Sequence, residues 1–232
     1  MLPVWKLIGF VLYVVLYYSV LNVNTAWPPE SIKTVFFKVM PVIHLMFVVT
    51  STSMEEDVKV KSSRYRWSVV FALMACAVGD CCQVFAEYFY HSVIMFGIAH
   101  LLYIRAFGIC PLGSGPVAAS FAVLTVAYYF FLVHGLQWLF MKLIGVTNLL
   151  LLFVMAWRSV VVWLAEKSSV SFLACLGSLL FIVADAMFIV DKFYGSFSQA
   201  PFWIMLTYYA AQLGVALSAC DTYTQSLLEK YD

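Results

Sequence analysis

Charge is what this chain has least of. Only 11% of its 232 residues are Asp, Glu, Lys or Arg, against 64% hydrophobic residues, and the mean hydropathy is +0.95. A soluble domain carries about a quarter charged residues, so lipid is the solvent for most of this surface. The 13 basic and 12 acidic residues nearly cancel, to +1. No basic, aromatic-interleaved patch occurs either, which excludes nucleic acid as a partner. The six cysteines (Cys76, Cys81, Cys82, Cys110, Cys175, Cys220) have no metal-ligand spacing and no loop positions suited to a disulfide framework; they read as small apolar packing residues. No Gly-x-Ser-x-Gly elbow, His-Glu-x-x-His pair or glycine-rich phosphate loop is present. Serine-hydrolase, zinc-protease and nucleotide-dependent chemistry are left without support, and neither a metal nor a cofactor is expected.

What the chain has in abundance is long apolar runs. A bilayer crossing takes roughly 17–25 such residues, and eight stretches qualify: about 5–21, 32–51, 67–86, 92–109, 116–133, 138–157, 170–190 and 202–220. "NVNTAWPPES", "STSMEEDVKVKSSRYR", "CPLGSGP" and "GSFSQAP" separate them with turn chemistry or charge, and "HGLQ" at 134–137 splits what reads otherwise as one long helix. The first run follows Lys6 without a small-residue cleavage site and is expected to stay as a membrane helix. The reading is an all-α integral membrane protein of eight transmembrane helices in one domain, 1–232. Eight crossings put both termini on one side, with Lys6, Lys59, Lys61, Arg64, Arg66, Arg105, Arg158, Lys167 and Lys230. The other side keeps Lys33, Lys38, Lys142 and Lys192. The positive-inside rule therefore expects cytoplasmic termini.

Against this background "AVGDCCQVF" and "LLFIVADAMFIV" are anomalous, because they place Asp80 and Asp185 inside membrane helices. A buried charge there costs several kcal/mol on insertion scales and usually faces a partner or a water-filled cavity. Counting back from Glu87 and Asp191 at about 1.5 Å per residue puts both carboxylates roughly 9–11 Å below the non-cytoplasmic boundary. The same count puts His100, Lys38, Tyr208 and Gln212 at roughly 10–17 Å, in one layer of the outer leaflet. Asp80 shares a helical stripe with Gln83, His100 with Tyr103, and Gln212 with Tyr208 or Tyr209. Helix glue explains one such residue, and Lys38 alone reads as snorkelling to the interface. Six in one layer point to a polar chamber. A "VGD" echo of "VAD" one half-chain later suggests two parallel four-helix repeats.

The segments "FFKVMP", "GD", "MFGIAHLLYIRAFG", "LGSLLFIVADAMFIVDKF" and "LTYYAAQLGVALSA" resemble the YhhN-like lysoplasmalogenase family, in its animal branch, in order and spacing over nearly the whole chain. One departure is Ala184, where the family pattern expects Ser, which removes a hydrogen-bond partner from Asp185. The resemblance implies an endoplasmic-reticulum hydrolase that cleaves the sn-1 vinyl ether of lysoplasmalogens, releasing a fatty aldehyde and glycerophosphocholine or glycerophosphoethanolamine. It carries the paired aspartates to Asp80 and Asp185, the lysine to Lys38, the histidine to His100, and the last-helix polar pair to Tyr208 and Gln212. Tyr103, Tyr209 and Gln83 join them as expected substrate-binding residues. The substrate lipid and membrane lipids are the only expected partners, and oligomeric state is left open.

The chemistry wants such groups. Protonation of the β-carbon makes an oxocarbenium ion, water adds, and the hemiacetal falls apart. Two carboxylates in low dielectric supply a proton donor and an anion, because both cannot ionise together. Asp185, among Ile182, Val183, Ala184 and Met187, is expected to be the acid. Asp80, nearer Gln83 and Glu87, stays ionised, and His100 is the alternative base. The rival class is a small proton-coupled transporter or channel with a mid-membrane carboxylate site, and a third reading is a lipid-binding scaffold.

Overall fold

The computed structural model describes residues 4–23, 26–52, 59–110, 112–135 and 139–220. Among them the chain is all helix: α1 Val4–Leu21, α2 Ile32–Thr50, α3 Lys59–Gln83, α4 Phe89–Phe107, α5 Gly115–Gly135, α6 Leu139–Glu166, α7 Ser169–Ile189 and α8 Ala200–Ser218. A 3-10 turn, Ala86–Tyr88, leads into α4, and a π-turn, Val190–Tyr194, extends α7. Local chemistry sets several ends. Ser31 and Ser168 cap α2 and α7, accepting from the backbone N–H of Thr34 (3.1 Å) and Ser171 (3.0 Å), each satisfying a first-turn donor that the helix itself leaves open. Pro201 sits in the first turn of α8, where its missing N–H costs nothing.

Six of these helical stretches are long and apolar enough to cross a bilayer: Ile32–Thr50, Ser63–Gln83, Ala86–Phe107, Leu139–Glu166, Ser169–Tyr194 and Ala200–Ser218. Two shorter apolar helices, Lys6–Leu21 and Gly115–Phe131, accompany them. Two boundaries differ from the sequence reading. The stretch "KVKSSRYR", expected as loop, forms the first turns of α3, since it holds neither Gly nor Pro to stop a helix. For the same reason α6 continues past 157 to Glu166. Arg158 is held there by donating from Nε to the Gly108 carbonyl at 2.7 Å. The expected turn at 134–137 and Lys230 fall partly or wholly outside the described residues.

Helices adjacent in sequence pack on one another from α1 to α4 and again from α5 to α8. Between the halves, α4 packs on α6 and α8 on α2, and α3 meets α8 more lightly. Exchanging each helix with the one four places on maps all of these contacts except α3–α8 onto one another. Leu45, Leu73, Ala99, Leu152 and Val215 are fully buried between the helices. Ile8, Phe71, Val123 and Leu143 point outward with about half or more of their surface exposed, as lipid-facing residues do. The backbones of α7 and α8 come close together at two glycines. There a Cβ at Gly177 would come within 2.7 Å of the Ala211 carbonyl, and one at Gly214 within 2.9 Å of the Leu173 carbonyl. These two glycines let the backbones touch, and the seam carries Asp185 on one side and Tyr208 on the other.

Candidate active site

Asp80 sits three residues before the end of α3 and is 1% exposed. Lys38 of α2, 4% exposed, brings Nζ to 3.4 Å from Asp80 Oδ1 and donates to Gln83 Oε1 at 2.5 Å. The other carboxylate oxygen, Oδ2, accepts from the Tyr208 hydroxyl of α8 at 2.7 Å. Behind Tyr208 the chain of hydrogen bonds continues: Gln212 Nε2 donates to the Tyr208 oxygen at 2.9 Å, and Tyr103 donates to Gln212 Oε1 at 3.0 Å. Tyr209 donates to the Lys38 carbonyl at 2.8 Å, close to Pro41, which interrupts the backbone ladder of α2. The network ties α2, α3, α4 and α8 together around one charged pair. A buried pair so fully hydrogen-bonded meets the condition under which burial of charge is tolerated.

Asp185 has different surroundings. Tyr128 of α5 donates to its Oδ2 at 3.2 Å, and among the described residues it takes part in no ion pair. His100 of α4 is buried, with Nδ1 donating to Asn148 Oδ1 of α6 at 3.2 Å. That bond sets the tautomer and leaves Nε2 with its lone pair. The ring of Phe181 stands between His100 and Tyr208, 6.2 and 5.9 Å from them, centroid to centroid.

Two cavities join these groups. The inner one, about 90 Å³, is walled by Asp80, Asp185, His100, Asn148 and Tyr208 together with apolar Phe96, Leu152, Phe181, Ile204 and Met205. It is large enough for a few waters or a short reacting segment. The outer one, about 400 Å³, is walled by Trp27, Glu30, Lys38, Asp191, Lys192 and Ser196 among others. Gln83, Phe89 and Phe188 line both. The rings of Phe89 and Phe188 stack at 6.2 Å and 25° in the wall that the two cavities share, here called the neck; the larger cavity, the vestibule, carries the charged groups Glu30, Asp191 and Lys192. The vestibule lies at the end of the bundle where the α1–α2, α3–α4 and α7–α8 connections meet.

Residues 33–219 match the pattern described as the YhhN family. The chain belongs to the YhhN family. It is 31% identical to the protein named lysoplasmalogenase TMEM86B of Rattus norvegicus over 196 residues, covering 83% of this chain and 77% of that one. It is 35% identical to lysoplasmalogenase TMEM86B of Mus musculus over 153 residues, 66% of this chain and 63% of the relative. Against lysoplasmalogenase TMEM86A of Bos taurus the identity is 34% over 160 residues, 66% and 65% of the two chains. No solved structure matches.

In this YhhN chain the expected site residues divide into two groups. Asp80, Asp185, His100, Tyr208 and Gln83 line the inner cavity, and Lys38 lines the outer one. Lys38 does not snorkel: its ammonium turns inward to Asp80. Tyr103, Tyr209 and Gln212 line neither cavity; they stand behind Tyr208 and Lys38 and hold them in place. Ala184, at the expected Ser, is part of the inner wall, and Tyr128 occupies the hydrogen-bonding role beside Asp185. Tyr128 and Asn148 were missed by sequence reasoning. Asn148 was within reach, because a lone amide about nine residues into an apolar run falls about 14 Å deep, in the same polar layer. Tyr128 was hidden in the aromatic string "AYYFF", where composition cannot tell a partner from packing.

Proposed function

We propose that this chain is a lysoplasmalogenase that cleaves the sn-1 vinyl ether by acid/base chemistry in the inner cavity. The observation that carries the mechanism is the asymmetry of the two aspartates lining it: a lysine compensates Asp80, and among the described residues none compensates Asp185. A carboxyl group buried without a cation is cheapest as the neutral acid, the form that can donate. Asp185 gives its proton to the β-carbon of the vinyl ether, and the double-bond electrons form the new C–H bond. The ether oxygen and α-carbon then share the positive charge. Asp80, held as the anion by Lys38, stabilises that cation electrostatically; with both its oxygens occupied, it is poorly placed to take a proton. His100 Nε2 takes the proton of the incoming water as its oxygen bonds to the α-carbon. The hemiacetal then breaks its bond to the glyceryl oxygen. The glyceryl oxygen takes the proton that the hemiacetal hydroxyl loses, the aldehyde leaves, and the proton held on His100 returns to Asp185, for a net consumption of one water. The role of the mostly apolar wall is to take the first carbons of the alkenyl chain, whose remainder extends toward lipid.

The same reading places eight crossings in one domain built from two parallel four-helix halves, with α1 and α5 as the two short spans. The exchange symmetry of the helix contacts supports it. It also places both termini in the cytoplasm and the vestibule on the lumenal face of the endoplasmic reticulum. A proton-coupled carrier would need polar access from the opposite end, whereas Asp80, Asp185 and both cavities lie toward one end. Incubating the purified protein with a lysoplasmalogen and assaying free aldehyde tests the proposal. Stoichiometric release of aldehyde and glycerophospho-head product is expected, and no release above a protein-free control would end it.

A further inference from the structure

The inner cavity accounts for the reacting bond but not for the 400 Å³ vestibule above it. That space is more than a passage, because charged groups of both signs line it. Glu30, from the α1–α2 connection, accepts from the Ala86 backbone N–H at 3.2 Å. Asp191, from the π-turn, accepts at Oδ2 from the Trp27 indole N–H at 2.7 Å. Its other oxygen, Oδ1, is shielded from solvent and has no hydrogen-bond partner among the described residues. Lys192, next in sequence, holds its ammonium 5.1 Å above the Phe89 ring at the neck. The wider turn of the π segment lets two consecutive residues face the same cavity. Two carboxylates and one ammonium thus line this one cavity, while Lys38 is committed to Asp80.

We infer that the vestibule is the head-group subsite, with Lys192 taking the phosphate and Glu30 and Asp191 taking the terminal ammonium of a phosphoethanolamine head. The lipid class rests on the lysoplasmalogenase reading above; the charge pattern does not. With the vinyl ether in the inner cavity, the glycerol backbone passes the Phe89–Phe188 neck. The phosphate then meets Lys192, and the amine meets the carboxylates. A primary ammonium brings three N–H donors, which two carboxylates can use, one of them with an oxygen still lacking a donor. A quaternary ammonium has none and depends on open aromatic faces. Here the faces of Phe89, at the mouth of the neck, are taken by Phe188 and by Lys192. An anionic head without an amine would face two uncompensated carboxylates.

The test is equilibrium binding of four non-cleavable alkyl-ether lipids of one chain length to the full chain in detergent or nanodiscs. The heads are phosphoethanolamine, phosphocholine, phosphoglycerol and none (1-alkylglycerol). The wild type is expected to bind the phosphoethanolamine lipid at least about tenfold more tightly than the other three, as charge-assisted hydrogen bonds imply. In Glu30→Gln and Asp191→Asn the ratio of alkylglycerol to phosphoethanolamine Kd should fall by about tenfold, and in Lys192→Gln the phosphoglycerol lipid should weaken as well. Using a ratio within each variant separates loss of the subsite from loss of folding. Ratios unchanged in the carboxylate variants, or phosphocholine or phosphoglycerol binding as tightly as phosphoethanolamine in the wild type, would overturn the assignment. Binding as expected without cleavage of the matching vinyl ether would leave the subsite standing and remove the hydrolase reading instead.

Discussion

Tyr208 on α8 donates a 2.7 Å hydrogen bond to Asp80 on α3, residues 128 positions apart in the chain. The same hydroxyl accepts from Gln212 at 2.9 Å, so its proton is committed to the carboxylate. Removing it with Tyr208→Phe leaves Asp80 one donor short in a site where Lys38 alone then faces the anion. We expect kcat to fall by about 10–100-fold, with the fold kept, because the ring still packs against Phe181. Steady-state kinetics on a lysoplasmalogen, alongside a thermal melt in detergent, check both halves.

The two aspartates should fail differently when neutralised. Asp185→Asn removes the proton donor and is expected to lower turnover by at least about 100-fold while leaving thermal stability close to wild type. Asp80→Asn should be as inactive but also unstable, since it strands the Lys38 ammonium in a buried site, a loss of about 3–5 kcal/mol. Adding Lys38→Met to Asp80→Asn should recover stability without activity. Equal melting curves for Asp80→Asn and Asp185→Asn would show that the Lys38 pair is not what the fold depends on.

Substrate selectivity should follow from the chemistry of the bond. A saturated alkyl-ether analogue has no double bond to take a proton at its β-carbon, so it is expected to compete with substrate and to stay uncleaved. Measurable cleavage of that analogue would rule out the oxocarbenium route.

His100 is argued to act through the nitrogen that Asn148 leaves free. Asn148→Leu removes the acceptor of the Nδ1–H and lets the ring take either tautomer or turn. A loss of about tenfold in kcat with KM little changed is expected. Asn148→Asp, which keeps an acceptor there, should recover part of it. A matching loss in both variants would place Asn148 in packing alone.

The contact of α7 with α8 is expected to be intolerant of size. Gly177→Ala sets a methyl group 2.7 Å from the Ala211 carbonyl and 2.9 Å from the Val215 nitrogen, both backbone atoms that cannot rotate aside. A destabilisation of about 1–3 kcal/mol is expected. Because the two helices carry Asp185 and Tyr208, activity should fall more than stability alone explains. A fully active Gly177→Ala would mean that the separation of these helices is not critical to the site.

How much of this was legible beforehand follows a physical line. Apolar content decided the solvent, and uninterrupted apolar runs bounded by Pro, Gly and charge located the helices, because backbone groups in lipid must be satisfied within the segment. A constant rise per residue then placed Asp80, Lys38, His100, Asp185, Tyr208 and Gln212 in one layer. That arithmetic needs no knowledge of how helices pack. It fails wherever rotation and tilt about the helix axis decide the outcome. Depth could not tell that Lys38 turns inward to Asp80, that Tyr103, Tyr209 and Gln212 stand behind the cavity wall, or that Tyr128 is the partner of Asp185. Nor could it show Phe89 and Phe188 meeting as a neck between two cavities. Those facts belong to helix faces, and the faces were set by long-range packing, above all by the close seam at Gly177 and Gly214 and by the pairing of α2 with α8 and α4 with α6.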